Sequence, residues 1–306
     1  MKIGIAGAGA IGSYYAGLLS RAGEEVRLYA RGEHLSAMEA RGLEVRTPTE
    51  TFTVRPEATG DASRLTGCDF VLVAVKGYSL PELGPALRAA ADSGATIVPL
   101  LNGIDAAERL EALGVRRDAI AGGLAGISVV RTAPGVVQRF SPFDRVTVGE
   151  LDRAPRARMS TLAGALANAG VTASVSTDIV LDLWRKFAFI VPMTVVCGLT
   201  RQAIGQVQAT DRGKKLIRST LHEIVDVSRA AGTPLSSADE EKVASDLFNV
   251  PGAMRPSFLL DLERGGPTEL DLLAATVCRL GERHNVPTPI HDIATTAFEI
   301  ATLPAP

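Results

Sequence analysis

The sequence contains few cysteines and no excess of charge of either sign. Its three cysteines are scattered among 306 residues. This spacing excludes a disulfide scaffold and fits a reducing compartment better than a secreted framework. The formal net charge of −2 provides no basic excess for nucleic-acid binding. Histidines and cysteines show no metal-ligand spacing. We therefore expect a protein that binds neither nucleic acid nor metal.

Long apolar runs are also missing. The apolar run 187–199 is shorter than the roughly 20 residues that a membrane-spanning helix needs, and Pro192 interrupts it. The apolar N-terminus looks superficially like a signal peptide, but Gly7, Gly9 and Gly12 favour a buried strand followed by a turn. These features predict a soluble, cytoplasmic protein with no membrane partner.

Length and element pattern predict two domains. At roughly 100–200 residues per domain, a chain of 306 residues favours two. The first half alternates short apolar strands with helices, which is typical of a parallel sheet wound on both faces. Helical periodicity dominates after Thr177. The predicted fold class is therefore α/β, with a Rossmann-type doubly wound sheet in residues 1–177 and an all-helical domain in residues 178–306.

The pattern also assigns individual elements. Strands of the doubly wound sheet are predicted at 2–6, 25–30, 69–75 and 96–101, with helices at 10–22 and 80–91. A hairpin is expected at 43–54, and antiparallel strands at 136–139, 146–149 and 171–175. Predicted helices of the second domain are 178–189, 212–231, 238–247, 269–284 and 290–301.

A glycine motif lies between the first strand and the first helix, the context in which G-x-G-x-x-G indicates dinucleotide binding. Gly7 permits the tight turn, Gly9 lets the backbone approach a pyrophosphate, and Gly12 lets helix and strand pack closely. The helix N-terminus then offers N–H groups to the phosphates. The predicted cofactor loop is Gly7, Ala8, Gly9, Ala10, Ile11 and Gly12.

Arg31 stands at the end of the second strand, where NAD enzymes carry an acidic residue for the ribose hydroxyl. A guanidinium suits a 2′-phosphate in both charge and geometry. The sequence therefore favours NADPH/NADP over NAD(H), although Glu33 lies two residues further on. Lys76 and Asn102 each follow a buried parallel strand, so they are expected at the carboxyl edge of the sheet, where ligands bind.

The chain resembles the ketopantoate reductase (2-dehydropantoate 2-reductase) family along nearly its whole length. The motifs that carry the resemblance are the glycine loop with Arg31, Val75-Lys76, Leu101-Asn102-Gly103, Leu183-Trp184-Arg185-Lys186, Pro256-Ser257 through Asp261, and Thr268-Glu269-Leu270-Asp271. The resemblance implies NADPH-dependent reduction of a 2-oxo acid in pantothenate biosynthesis.

The resemblance also implies residue roles. Lys186 would protonate the forming alkoxide, Glu269 would bind a substrate hydroxyl, and Ser257 would contact the substrate carboxylate. Lys76 and Asn102 would lie at the nicotinamide end of the site. The chemistry agrees, because ketone reduction builds negative charge on oxygen, which an ammonium stabilises and protonates.

The family has asparagines four and eight residues after the lysine, and here these positions are Ile190 and Thr194. Thr194 is retained as a substrate contact, whereas Ile190 cannot hydrogen-bond through its side chain. The exact 2-oxo acid therefore stays open. So do two other functions, a β-hydroxyacid dehydrogenase-like enzyme and a non-catalytic NADP(H)-binding sensor. The sequence does not determine the oligomeric state, and a homodimer is one option.

Overall fold

The structure, a computed structural model, describes residues 1–303. The strands are β1 (Lys2–Ala6), β2 (Glu25–Tyr29), β3 (Leu43–Arg46), β4 (Thr51–Val54), β5 (Glu57–Thr59), β6 (Phe70–Val73), β7 (Thr96–Pro99), β8 (Gly122–Gly126), β9 (Val129–Ala133), β10 (Val136–Arg139), β11 (Arg145–Gly149) and β12 (Thr172–Val175). The helices are α1 (Ala10–Arg21), α2 (Gly32–Arg41), α3 (Leu80–Asp92), α4 (Ala106–Ala112), α5 (Ala157–Asn168), α6 (Ile179–Thr200), α7 (Ile204–Gln208), α8 (Asp211–Ala230), α9 (Ser237–Phe248), α10 (Ser257–Glu263), α11 (Ala274–His284) and α12 (Pro289–Ala301).

Five parallel strands form the first sheet, in the order β5-β2-β1-β6-β7. Strands β6 and β7 are buried along their whole length, as their apolar sequences predict. The chain moves outward from β1 to β2 on one side and to β6 on the other. Such a switch point is where open α/β sheets bind ligands, at the carboxyl ends of the strands.

Two smaller sheets follow the orders β4-β3-β10-β9 and β12-β11-β8. The predicted hairpin is β3 and β4, paired antiparallel. The expectation of antiparallel strands further on was only partly right. Strand β10 pairs antiparallel with β9 but parallel with β3, and β11 pairs antiparallel with β8 but parallel with β12. Helix α5 connects β11 to β12, and a crossover of this kind returns the chain in the parallel direction.

Helix α6 is longer than predicted. It runs from Ile179 to Thr200 and contains Pro192, whereas the sequence indicated an end at Phe189. A proline inside a helix removes one backbone hydrogen bond. Here nearly every residue from Phe187 to Gly198 is buried. Tertiary packing of this apolar run therefore outweighs the local effect of the proline.

The chain divides into two compact units, and this architecture confirms the predicted fold class. One unit holds Met1–Leu101 and Ala106–Ile179, and the other holds Asn102–Asp105 and the chain from Val180 onward. Each unit has its own apolar core. The first contains Tyr15, Leu28 and Leu72, and the second contains Phe187, Ile224, Phe258 and Phe298.

Candidate active site

Two positions of the glycine loop must be glycine because of how the chain itself packs around them. Gly7 has φ +114°, which favours glycine, and a side chain there would collide with Val75. A Cβ at Gly12 would overlap the carbonyl oxygen of Gly7. The turn from β1 into α1 therefore closes only with glycine at these two places.

Gly9 differs, because the chain does not need it. A Cβ at Gly9 would make only ordinary contact, 3.5 Å from the carbonyl oxygen of Ala74. Gly9 is the N-cap of α1, no side chain caps this helix, and its first turn contains no acidic residue. The first N–H groups are thus available to an anion. An exposed glycine beside uncapped N–H groups fits the pyrophosphate of a dinucleotide.

Arg31 immediately follows β2 and is the N-cap of α2. Its side chain is 57% exposed; its Nε donates to the Tyr29 hydroxyl at 2.5 Å and its Nη1 to Glu82 at 2.6 Å. The carboxylate that NAD enzymes place at the strand end is absent here, since Glu33 lies in the first turn of α2. An exposed guanidinium at this position fits a 2′-phosphate.

Lys76 lies three residues beyond the end of β6, is partly buried and precedes the 3₁₀ turn Gly77–Ser79. Strands β2, β1 and β6 are parallel neighbours. The segments that follow them therefore meet at one edge of the sheet. The structure thus brings the glycine loop, Arg31 and Lys76 to the same edge.

Asn102 follows β7 in sequence, but the short segment Asn102–Asp105 packs within the helical unit. Gly103 has φ +98°, and a Cβ there would lie 2.9 Å from the carbonyl oxygen of Leu272. Asp105 pairs with Arg279 of α11 at 3.0 Å. The segment therefore lies beside the 3₁₀ turn Leu270–Leu272, which Glu269 precedes.

Lys186 is partly buried in the first half of α6. Burial lowers the pKa of this ammonium to about 8, and the nearby negative charge of Glu269 opposes that decrease. An acid whose pKa lies near the working pH is suited to proton transfer. The structure thus brings together the two residues for which the resemblance implies roles in catalysis.

Glu269 is 7% exposed and lies outside any α-helix. The predicted helix 269–284 is interrupted, because the 3₁₀ turn Leu270–Leu272 comes first and Leu273 has φ −115° and ψ −104°. Helix α11 begins only at Ala274. Glu269 therefore lies outside the first turn of that helix, and its negative charge acts on Lys186.

Ile190 and Thr194 lie one and two turns after Lys186, on the same face of α6. Thr194 is 2% exposed, and its hydroxyl donates to the carbonyl oxygen of Ile190 at 3.0 Å. Its lone pairs stay available to a donor. Ile190 is half-buried against the apolar core of its unit. This face therefore presents aliphatic surface beside the lysine.

Ser257 is the exposed first residue of α10. The N-cap of this helix is Pro256, and no side chain caps it. Capping, the simplest structural role for Ser257, is therefore not observed. Among residues 1–303, its hydroxyl makes no hydrogen bond with another residue.

The family follows from comparison with known proteins. Residues 3–153 match the model of ketopantoate reductase PanE/ApbA, and residues 178–300 match the model of its C-terminal part. The chain belongs to the ketopantoate reductase family.

Relatives of this ketopantoate reductase family member cover nearly the whole chain. An uncharacterized oxidoreductase of Bacillus subtilis, YkpB, is 27% identical over 95% of both chains. The 2-dehydropantoate 2-reductase of Mesorhizobium japonicum is 29% identical over 95% of both. The crystal structure of 2-dehydropantoate 2-reductase from Methylococcus capsulatus superposes with a TM-score of 0.88 at 28% identity, covering 100% of this chain and 99% of that one.

Family membership confirms two predictions. The protein is an oxidoreductase, and its cofactor is the NADPH that ketopantoate reductases use. Between residues 1 and 303, no group of three or more histidine, cysteine or acidic side chains is arranged to hold a metal. No helix in that part of the chain is long and apolar enough to cross a membrane.

Sequence reasoning did not single out three residues near the cofactor edge of the sheet. Tyr29 and Glu82 hold the Arg31 guanidinium, and Arg131 of β9 lines a cavity with it. Tyr29 was adjacent to a predicted site residue and could have been found. Glu82 and Arg131 lie 51 and 100 residues away in sequence, and no local pattern connects them with Arg31.

Proposed function

We propose that this protein reduces ketopantoate, or a related branched 2-oxo acid, to the 2-hydroxy acid with NADPH. The observation that carries the proposal is the partly buried Lys186 with the charge of Glu269 beside it, in a chain of this family. For ketopantoate the product is pantoate, and the reaction then serves pantothenate biosynthesis.

In the proposed step Lys186 supplies a proton. NADPH, when bound, would supply the hydride; its addition to the ketone carbon would break the C=O π bond and leave the electron pair on oxygen. The Lys186 ammonium stabilises this charge and transfers its proton to the alkoxide, and water later returns a proton to the amine. The hydride and the proton are the two hydrogens that the reduction adds, one to the carbon and one to the oxygen of the ketone.

The substrate is held by residues of the helical unit and the Asn102 segment. In this proposal Glu269 accepts a hydrogen bond from a substrate hydroxyl, and Ser257 donates to the substrate carboxylate. Asn102 and Thr194 are additional polar contacts, and Lys76 lies at the nicotinamide end. The aliphatic Ile190 favours substrates with an apolar branch at this position.

The direct test is the steady-state rate of NADPH oxidation by the purified protein with ketopantoate. Saturable turnover that Lys186→Ala lowers by roughly a hundredfold or more supports the proposal. Oxidation of hydroxy acids without reduction of 2-oxo acids would favour the β-hydroxyacid dehydrogenase-like alternative. NADPH binding without turnover on any branched 2-oxo acid would favour a non-catalytic sensor.

A further inference from the structure

An open cavity of about 440 Å³ lies beside the start of α2 in the first unit. Arg31 contributes to its lining from the end of β2, and β9 and the turn that follows it contribute another part. The lining residues are Arg31, Glu33, His34, Arg131, Ala133 and Pro134. Strand β9 belongs to the second sheet, so this part of the lining comes from outside the doubly wound sheet.

The positive charge of Arg131 is not paired with any carboxylate in the described chain. Its side chain is exposed, and among residues 1–303 its guanidinium has no hydrogen bond or ion pair. Arg31, in contrast, is bound to Tyr29 and Glu82. Both side chains of the Arg31–Glu82 pair are more than half exposed, so a competing anion displaces the carboxylate at little cost.

His34 fixes this part of the lining without adding charge. The ring is buried; its Nδ1 accepts the N–H of Gly135 at 2.8 Å and its Nε2 lies 2.9 Å from the Ser13 hydroxyl. Burial, with a smaller effect of Arg131, lowers the pKa of His34 to about 4, so it is neutral at pH 7. Arg41 also donates to the Pro134 carbonyl at 2.5 Å. The turn after β9 is thus fastened to α2.

The lining suits a compact dianion. The lining contains two guanidiniums and one carboxylate, that of Glu33, and no side chain caps the N-terminus of α2. Uncapped N–H groups at a helix start add donors of the same sign. A phosphate monoester carries about −1.5 to −2 charges at pH 7 and three acceptor oxygens, more than one arginine fork can satisfy.

We propose that Arg131 is a second specificity residue for the phosphate monoester on the adenosine ribose of NADPH, acting together with Arg31 from the same cavity. This proposal rests on the assignment of that phosphate to Arg31. It adds a determinant from a different sheet, one hundred residues away in sequence.

The test is the dissociation constant of NADPH and of NADH, measured by titration calorimetry at one ionic strength. Arg131→Ala should weaken NADPH about tenfold, the usual effect of losing a charge-assisted hydrogen bond, and NADH less than twofold. Arg131→Lys should weaken NADPH binding by an intermediate factor, because lysine keeps the positive charge but cannot make the two parallel hydrogen bonds of a guanidinium. The matched control is Arg88→Ala, which removes an exposed arginine of α3 outside the cavity.

Equal weakening of NADPH and NADH by Arg131→Ala would overturn the proposal, as would an NADPH effect no larger than that of Arg88→Ala. Arg31→Ala separates the two assignments. If it lowers the preference for NADPH and Arg131→Ala does not, only the role of Arg131 fails. If neither changes the preference, the phosphate lies elsewhere and the cofactor assignment of Arg31 fails too. Circular dichroism of each variant verifies the fold.

Discussion

At the residue scale, the most informative group is Lys186, because its surroundings lower its pKa to about 8 while leaving it partly accessible. If it is the acid, Lys186→Ala should lower kcat by roughly 10²–10⁴, the usual contribution of general acid catalysis. Steady-state kinetics with saturating NADPH measures this. A decrease of less than threefold would contradict the assignment.

The pH dependence of the same reaction gives an independent readout. The ammonium is the proton donor, so it must be protonated, and kcat for reduction should be high below pH 8 and fall above it. Glu269 raises the pKa of Lys186. Glu269→Gln should therefore move the fall to lower pH, whereas Glu282→Gln, which removes an exposed carboxylate of α11, should leave it in place. Identical profiles for the two variants would refute the coupling.

At the scale of elements, the cofactor half of the site was predictable because its signals are local. The strand 2–6, the glycine loop and Arg31 lie within one short stretch, and β1 matches its prediction residue for residue. Other elements depend on distant contacts. Strand β8 is glycine-rich and has little strand propensity. It pairs with β11, and glycine is needed in it because a Cβ at Gly122 would lie 2.6 Å from Ile179 and one at Gly123 2.7 Å from Val98.

The helical half of the site shows the same limit. The apolar run that prolongs α6 beyond Pro192 is stabilised by a core assembled from α8, α10 and α12. The 3₁₀ turn that takes Glu269 out of α11 abuts the Asn102 segment, far away in sequence. The helical periodicity of the sequence cannot reveal either contact. It therefore predicts that these segments are helical but not the residues at which the helices begin and end.

Helix α6 also carries the substrate prediction. Ile190 presents aliphatic surface one turn from Lys186 and offers no hydrogen bond to the substrate hydroxyl, which leaves Glu269 to bind it. The ratio of kcat/KM for ketopantoate to kcat/KM for 3,3-dimethyl-2-oxobutanoate, which lacks only this hydroxyl, measures how much the hydroxyl contributes. Ile190→Asn supplies a hydrogen-bonding group and should shift the ratio of kcat/KM values toward ketopantoate by about three- to tenfold, the effect of one neutral hydrogen bond. The control is Ile293→Asn, which changes an exposed side chain of α12. An unchanged ratio would exclude Ile190 from the substrate pocket.

At the scale of the whole molecule, each of the two units has its own apolar core. A cofactor that binds one unit should therefore stabilise that unit against thermal unfolding, and this shows which unit binds it. The glycine loop, Arg31 and Lys76 all belong to the first unit. A ligand that binds only the folded state adds about 2.7 kcal/mol at one hundred times its dissociation constant. For a unit of 150–250 residues, this corresponds to an increase in Tm of about 5–10 °C.

We therefore expect NADPH at that concentration to raise the Tm of the transition that unfolds the first unit, by calorimetry. NADH at the same concentration should raise it less, because it offers no phosphate to Arg31 and its dissociation constant is larger. In Arg31→Ala the difference between the two cofactors should shrink, since the phosphate then keeps only Arg131 while the pyrophosphate still binds at the uncapped start of α1. Equal shifts from NADPH and NADH in the unmodified protein would contradict this prediction, because neither Arg31 nor any other residue would then discriminate between the two cofactors.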